Sequence, residues 1–224
     1  MLLHRITLDP RSRDARRDLA DPYQMHATLT RAFSAPDIRC PEGEFLWRLE
    51  AERDQHGRPQ VLIQSRAQPD WDRINLADWL AYVDPAINLI EKLGLHSLED
   101  GQRFRFRLRA NPSVKRDGKR QGLMRTQDQE NWLVRQGDLH GFVLPELVGF
   151  EFADSTAKRV DVRISQEQML KGRQHTGNGI HIFSVLYDGI LMIQNSEKFA
   201  VALRYGIGHG KAMGLGLLSV VPQK

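Results

Sequence analysis

The sequence is poor in cysteine, with Cys40 as the only one among 224 residues. One thiol cannot form an internal disulfide, and it cannot supply the thiolate cluster of a structural zinc site. The eight histidines show no HxxxH or HExxH spacing, so we expect no metal site. A chain with so little cysteine is typical of the reducing cytoplasm.

Long apolar runs are missing as well. The first ten residues already contain His4 and Arg5, so they lack the apolar core of a secretory signal. No stretch reaches the roughly 18 apolar residues that a membrane span needs, and we expect neither export nor membrane insertion. The composition, 41% hydrophobic and 27% charged, is that of a chain that builds packed cores, and its length favours two domains of about 100 residues each.

Positive charge is concentrated in one part of the chain. The net charge is only +4, but residues 103–125 carry nine Lys or Arg against one acid, which is +8 for this segment and −4 for the remainder. Such a concentration favours a polyanionic partner, with a solvated basic face as the alternative. The candidates for phosphate contacts here are Arg103, Arg105, Arg107, Arg109, Lys115, Arg116, Lys119 and Arg120, and a second basic group adds Lys158, Arg159, Arg163, Lys171 and Arg173.

The first half of the chain predicts a strand, a helix and a hairpin in succession. Residues 2–8 alternate as a strand does, and Asp21 and Pro22 supply the N-cap and the first position of a helix. Residues 44–50 and 60–65 then predict two strands joined by a turn-rich loop. In the segment 70–99, residues 70–83 suggest a helix, and residues 86–95 are compatible with a helix or a strand.

The second half opens with the clearest strand pattern in the chain. Residues 101–112 alternate arginine with apolar residues, which predicts one apolar and one cationic face. The elements predicted after it are a Gly- and Lys-rich loop, a short helix opened by the capping box Thr126 to Gln129, a polar loop over 165–179, two strands joined at Asp188-Gly189, a helix over 196–205 and a closing strand over 216–222.

We interpret the order of elements as βαββαβ in each half. This order is typical of ferredoxin-like folds, in which a four-stranded antiparallel sheet carries two helices on one face. The predicted fold is therefore α+β, with two tandem ferredoxin-like (RRM-like) domains over residues 1–98 and 101–224. RNA-recognition domains bind RNA on the open face of such a sheet, although this chain lacks their aromatic RNP1 signature.

The stretch DPYQMHATL, residues 21–29, places a phenol and an imidazole three positions apart on a predicted helix. Tyr23 and His26 are then neighbours on the helix surface, at the edge of the arc that faces the core. A pair of this kind is most often ordinary amphipathic packing. A chemical role at this position therefore needs further support.

Five glycines punctuate residues 206–216, and Lys211 lies among them. Backbone N–H groups in such a loop can cradle a phosphate, and a tight turn between a helix and a strand is the alternative. A Walker A site is excluded, because Tyr205 stands where its first glycine belongs and Ala212 where Ser or Thr must hold magnesium. We therefore expect no nucleotide cofactor. The candidates for contacts with a phosphate backbone are Gly206, Gly208 and Lys211.

Taken together, these motifs resemble the CasE family, the endoribonucleases that process precursor RNA in type I-E CRISPR systems. The resemblance spans nearly the whole chain in the family's order. It is weaker over 70–100 and 165–180, and it is most specific in the block FRLRANP and in the glycine block. The segments that carry it are LHRITLDP, DPYQMHATL, FLWRLE, VLIQS, FRLRANP and GIGHGKAMGLGLLSVVP.

The resemblance implies an activity and a site. It implies two ferredoxin-like domains that bind the hairpin of a CRISPR repeat RNA and cut precursor CRISPR RNA at the 3′ base of the stem without a metal ion. It assigns the catalytic pair to Tyr23 and His26. It also implies that the enzyme stays on the mature RNA as a subunit of the Cascade complex, in contact with other Cascade subunits.

A metal-free ribonuclease can use the 2′-hydroxyl of its substrate as the nucleophile, leaving a 2′,3′-cyclic phosphate and a 5′-hydroxyl. Histidine, with an ordinary pKa of about 6.5, can donate or accept a proton near neutral pH, whereas tyrosine at about 10 is a poor base. We therefore expect His26 to be the principal acid or base, with the choice between them open. Tyr23 is expected to orient the 2′-hydroxyl or the phosphate.

Two other classes of function share some of these features. A module that holds a hairpin RNA without cutting it would need the same basic surfaces, and the presence of both Tyr23 and His26 argues for cleavage instead. A small-molecule enzyme on a ferredoxin-like scaffold is disfavoured by the charge of +8 over residues 103–125. The absence of a metal or nucleotide motif also argues against it.

Overall fold

The first half of the chain forms an antiparallel sheet and three helices. In this computed structural model, residues 1–35, 37–146, 160–173, 177 and 179–223 are described. The elements of the first half are β1 (Leu2–Leu8), α1 (Arg13–Ala20), α2 (Pro22–Thr30), β2 (Phe45–Arg53), β3 (Pro59–Ser65), a 3₁₀ turn (Trp71–Ile74), β4 (Leu80–Val83), β5 (Ile87–Asn88) and α3 (Leu89–Leu93). The strand order is β2-β3-β1-β4, and the short β5 also pairs with β1.

The second half forms a sheet of the same design. Its elements are β6 (Arg103–Ala110), β7 (Ser113–Arg116), β8 (Lys119–Gly122), α4 (Thr126–His140), β9 (Phe142–Val143), β10 (Val162–Arg173), β11 (Gly179–Ile193), α5 (Ser196–Tyr205), a 3₁₀ turn (Lys211–Met213) and β12 (Leu218–Pro222). The strand order is β10-β11-β6-β12, and β9 pairs with the end of β11. Strands β7 and β8 form a separate hairpin.

In each four-stranded path, the strand that comes first in the sequence lies between the third and the fourth, and the second lies at the edge. This is the strand order of the ferredoxin-like fold, so the predicted α+β fold with two ferredoxin-like units is confirmed. The division into domains over 1–98 and 101–224 stays a prediction. Leu95 and Leu98, which end the first predicted domain, pack against the core of the second half.

Each half has its own hydrophobic core, built as the sequence pattern requires. Ile6, Met25 and Leu29 are at most 1% exposed in the first core, where α2 packs on its sheet. In the second core, Phe104 and Leu108 come from the apolar face of the alternating strand β6. The prediction that β6 has an apolar and a cationic face is confirmed by this alternation. No described helix has the length and apolar content of a membrane span.

The cationic face of β6 is turned partly toward the first half. Arg107 Nε donates to Asp188 on the neighbouring strand at 2.7 Å, and its Nη1 donates to Glu52 of β2 at 2.8 Å. Arg48 of β2 is only 3% exposed and reaches the other way, donating to the carbonyl oxygen of Leu217 at 3.1 Å. Ion pairs and carbonyl contacts of these two arginines therefore join the halves of the molecule.

The hairpin predicted at Asp188-Gly189 is wrong. Strand β11 runs through this dipeptide without a turn. Asp188 is instead held in the strand by its ion pair with Arg107 on β6. Gly189 is needed there because a Cβ would lie 2.7 Å from the carbonyl oxygen of Asp161. The hairpin of this region is the one between β10 and β11.

Other local predictions need correction in the same way. The polar loop predicted over 165–179 is largely strand β10, whose pairing with β11 satisfies its backbone groups. The Gly- and Lys-rich loop after β6 contains the β7–β8 hairpin, and Asp117-Gly118 form its turn with φ of 49° and 76°. Helix α1, which lies between β1 and residue 21, was not predicted from the sequence, so Tyr23 lies on the second helix of the chain.

We expect the Arg48→Met substitution to lower the free energy of unfolding by about 3 kcal/mol, because it removes the buried donor of Glu50 Oε1 and of two carbonyl oxygens. The measurement is urea denaturation followed by tryptophan fluorescence. Arg53→Gln removes an exposed arginine from the same strand and is the control, with an expected change within about 0.5 kcal/mol. Equal stability of the two variants would show that Arg48 does not hold the halves together.

Candidate functional site

Helix α2 begins at a cap that its sequence specifies. Asp21 precedes the helix in extended conformation, and its Oδ1 accepts hydrogen bonds from the N–H groups of Tyr23 at 2.9 Å and Gln24 at 3.4 Å. Pro22 fills the first helical position, where a missing N–H leaves no bond unmade. The predicted N-cap and helix start are confirmed.

The same carboxylate also binds the second half of the molecule. Asp21 Oδ2 accepts the backbone N–H of Arg173, at the end of β10, at 3.1 Å. The preceding residue, Gly172, lies so close that a Cβ on it would be 3.1 Å from the Cβ of Tyr23. A glycine here lets β10 approach the start of α2, which places Tyr23 where the two halves meet.

His26 lies one turn further along α2. Its ring packs at 5.0 Å from the ring of Phe45, centroid to centroid, and its Nδ1 is buried without a hydrogen-bond partner among the described residues. Burial lowers the pKa of His26 to about 4. The imidazole is therefore neutral at neutral pH, and it can accept a proton.

A cleft of about 1240 Å³ opens beside His26. Its lining combines the C-terminal end of α2 and the loop after it with Lys211 and Ala212 of the glycine-rich loop. Lys211 was predicted from the sequence as a phosphate contact, and the structure brings it to the same cleft as the imidazole. The cations of the lining are Arg31, Arg39, Arg73 and Lys211.

The β7–β8 hairpin presents four exposed cations in two cross-strand pairs. Lys115 lies opposite Arg120, and Arg116 lies opposite Lys119. Like charges in directly opposed positions destabilise a hairpin. A polyanion bound along the hairpin would relieve this repulsion, which makes the hairpin the part of the basic segment best suited to phosphates.

The hairpin and the cleft are linked by basic residues of the glycine-rich loop. The pKa of His209 is lowered by burial and, in addition, by the nearby charges of Arg120 and Lys211. The pKa of His140 is lowered by burial and by Lys211. These groups therefore lie near one another, and Lys211 also lines the cleft at His26.

The other residues that were predicted to contact RNA differ in how exposed the structure leaves them. Arg103, Arg105, Arg163 and Arg173 are exposed, as is Lys171. Lys158 and Arg159 lie outside the described residues. The role of all of these residues in binding RNA stays a prediction.

Three residues that were predicted to contact RNA form hydrogen bonds or ion pairs within the protein instead. Arg107 is held by carboxylates, Arg109 is 7% exposed and donates to Gln166, and Gly206 is buried with its N–H bonded to the carbonyl oxygen of Ala202. Gly208 is partly exposed and packs beside Trp132. We therefore leave Arg107, Arg109 and Gly206 out of the interface proposed below.

Sequence reasoning missed some residues of this region. Arg31, at the C-terminal cap of α2, and His209, in the glycine-rich loop, carry no motif that distinguishes them from surface residues. Gly172 was missed as well: an isolated glycine inside a strand often marks a close backbone approach, but the polar stretch around it was predicted as a loop. Within the part of the chain that the structure describes, no three His, Cys, Asp or Glu side chains are placed to hold a metal ion.

The comparison with known families is consistent with this geometry. A family model described as CRISPR associated protein matches residues 1–222. The chain belongs to the CRISPR-associated protein family. The resemblance to CasE seen in the sequence is confirmed, and it covers nearly the full length of the chain.

Two curated members of the CRISPR-associated proteins are similar over their whole lengths. The CRISPR-associated endoribonuclease Cse3 of Thermus thermophilus is 38% identical over 229 residues, which cover 99% of this chain and 100% of Cse3. The Cascade subunit CasE of Escherichia coli is 28% identical over 213 residues, which cover 90% and 92% of the two chains. A solved structure of Thermus thermophilus Cse3 bound to an RNA representing a pre-cleavage complex has a TM-score of 0.78 and 36% identity, with 99% of this chain and 98% of that one covered.

We expect the imidazole of His26 to titrate with a midpoint near 4 in the folded protein. In urea the same group should titrate near 6.5, because the unfolded chain is hydrated. Since the unfolded state then binds the proton first, the contribution of His26 to stability is complete above pH 6.5 and is lost as the pH falls toward 4. NMR of the Cε1–H signal, assigned with His26→Asn, gives both midpoints, and a folded midpoint above 6 would contradict the burial of this ring.

We expect Asp21→Ala to speed hydrogen exchange at two places that are distant in sequence, the amides of Tyr23 and of Arg173, because both donate to this carboxylate. Loss of the cap should also cost about 1 kcal/mol of stability. Asn195→Ala, which removes the cap of α5, is the matched control and should affect the amide of Lys198 instead. Unchanged exchange at Arg173 would show that Asp21 does not join the halves.

Proposed function

We propose that this protein is a CRISPR RNA-processing endoribonuclease that binds the repeat hairpin and cuts precursor CRISPR RNA at the 3′ base of the stem. The observation that carries the proposal is the neutral imidazole of His26 in a cleft that it shares with Lys211, one helical turn from Tyr23. The 38% identity with the endoribonuclease Cse3 along the whole chain supports it.

The reaction that suits this site is attack by the 2′-hydroxyl of the substrate. The 2′-oxygen bonds to phosphorus, the bond from phosphorus to the 5′-oxygen breaks, and the products carry a 2′,3′-cyclic phosphate and a 5′-hydroxyl. No metal-bound water is needed, because the nucleophile belongs to the RNA. One proton must leave the 2′-hydroxyl, and another must reach the 5′-oxygen.

We assign the first proton to His26. Its low pKa keeps the imidazole neutral, and a neutral imidazole is the form that accepts a proton. Tyr23 orients the 2′-hydroxyl or the phosphate from the preceding turn of α2. The charge that develops on the phosphate is stabilised by Lys211, the cation that the second half of the molecule contributes to this cleft.

The stem of the RNA lies on the second half of the molecule. An A-form stem offers shape and phosphates more than readable base edges, which suits an interface made of Lys and Arg. The interface is built around the exposed β7–β8 hairpin and extends through His209 toward Lys211. Its predicted members are Arg103, Arg105, Lys115, Arg116, Lys119, Arg120, Arg163, Arg173, Gly208 and Lys211, and Lys158 and Arg159 from outside the described residues.

The enzyme acts where its precursor RNA is transcribed, in the cytoplasm, and remains on the mature RNA as a subunit of Cascade. The similarity to the Cascade subunit CasE over 90% of the chain supports this assignment. Its partners are then the repeat hairpin and the other Cascade subunits, with no small-molecule cofactor.

The decisive experiment is cleavage of a labelled CRISPR repeat in EDTA under single-turnover conditions. We expect the wild-type protein to cut unmodified RNA, and His26→Ala to be slower by about 10²–10⁴-fold because the proton acceptor is missing. The mutant should bind the repeat within a few-fold of wild type, since His26 is one of many contacts. His56→Ala, an exposed histidine in the β2–β3 turn, should cut normally.

A substrate with a single 2′-deoxy sugar before the scissile bond tests the nucleophile. We expect it to bind and to remain uncut. Cleavage of this RNA, or a complete stop in EDTA, would overturn the mechanism. Tight binding without cleavage of any RNA would favour the alternative, a hairpin-binding subunit that does not cut.

A further inference from the structure

The lining of the cleft at His26 extends well beyond His26 and Lys211. It runs from Lys211 along the C-terminal end of α2 and between two segments of the first half, 38–45 and 72–75. Its volume of about 1240 Å³ exceeds the roughly 300–1,000 Å³ of a typical small-ligand pocket. The hairpin that is proposed to bind the stem lies on the second half, so this extension leads away from the stem.

Three arginines line the extension, and two of them have no ion-pair partner among the described residues. Arg31 and Arg39 make no ion pair with any residue that the structure describes, and Arg73 pairs only with Asp70, at 2.9 Å on the surface. Unpaired arginines in a groove are available to phosphates, for which the guanidinium is well shaped.

Acidic and apolar side chains lie in the same groove. Three acids line it, among them Glu44, whose carboxylate is occupied by the N–H of Ala67 at 2.9 Å. Ile38 also lines the groove and is 65% exposed, so it offers an apolar contact there. The three acids would repel the closely spaced phosphates of a duplex. A single strand offers phosphates to the arginines, base edges to the acids and flat base faces to Ile38.

The 5′-to-3′ direction of the substrate decides which single-stranded part of the RNA enters the groove. Under the proposed function, on which this inference depends, the cut falls at the 3′ base of the stem, so the stem lies on the 5′ side of the scissile phosphate. The chain that continues past His26 is then unpaired and lies on the 3′ side. We propose that the groove lined by Arg31, Arg39 and Ile38 binds these unpaired nucleotides, which belong to the strand that leaves after cleavage.

The groove contributes to binding of the uncut RNA and not to binding of the hairpin product. Once the scissile bond is cut, the 3′ strand is held by this groove alone, whereas the stem is held by the interface on the second half. A few phosphate contacts and one apolar contact are too weak to retain a short single strand. The leaving strand therefore departs while the hairpin stays.

The test compares RNAs that share one stem-loop and carry a 2′-deoxy sugar before the scissile bond, so that none is cut. One ends at the scissile phosphate, one has six more nucleotides on the 3′ side, and one has six more on the 5′ side. We expect the 3′ extension to tighten binding to wild-type protein by about tenfold in a fluorescence anisotropy titration. The 5′ extension should tighten it by less than about twofold.

The variant Arg31→Gln/Arg39→Gln should bind the RNA without extension as wild type does and lose most of the gain from the 3′ extension. The charge-matched control Arg13→Gln/Arg53→Gln removes two exposed arginines of the first half that do not line the groove, and it should keep the gain. An unchanged gain in the first variant, no gain in wild type, or an equal gain from the 5′ extension would overturn the proposal. Failure of the proposed function is read separately, from cleavage of the unmodified RNA by wild type.

Discussion

The candidate site depends on the carboxylate of Asp21, which accepts hydrogen bonds from both halves of the molecule. One oxygen caps α2 through Tyr23 and Gln24, and the other accepts the backbone N–H of Arg173 from the second half. A single side chain therefore fixes where the helix starts and how it sits against β10. The phenol and the imidazole follow from that placement, because both lie within the first turns of the helix.

Arginine has two distinct uses in this molecule, and the surroundings of each guanidinium separate them. Arg48 and Arg107 lie between the halves, where carboxylates and carbonyl oxygens compensate the cost of burying charge. Cations of the β7–β8 hairpin face solvent in like-charged pairs and form no ion pair with any residue that the structure describes. The first group holds the two sheets together, and the second is suited to a phosphate backbone.

Local signals predicted the elements whose stability is local. The alternation over β6, the cap at Asp21 and the apolar periods of β1 and α5 each gave an element with nearly the observed bounds. The hairpin turn predicted at Asp188-Gly189 was wrong because this dipeptide is also acceptable inside a strand when a neighbouring arginine holds the aspartate. The polar strand β10 gave no apolar period, since it is an edge strand stabilised mainly by pairing with β11.

The sequence by itself determined the α+β fold and the family, because periodicity, caps and motifs are properties of neighbouring residues. The catalytic role of Tyr23 and His26, which the resemblance to CasE implies, stays a prediction. Only the tertiary structure decided which arginines are free, that Lys211 lines the cleft beside His26, and that the cleft continues past Arg31. Those outcomes depend on pairings across the two halves, such as Arg107 with Glu52 and Asp21 with Arg173. Residues so distant in sequence meet only after both sheets have packed, so no local pattern encodes their contacts.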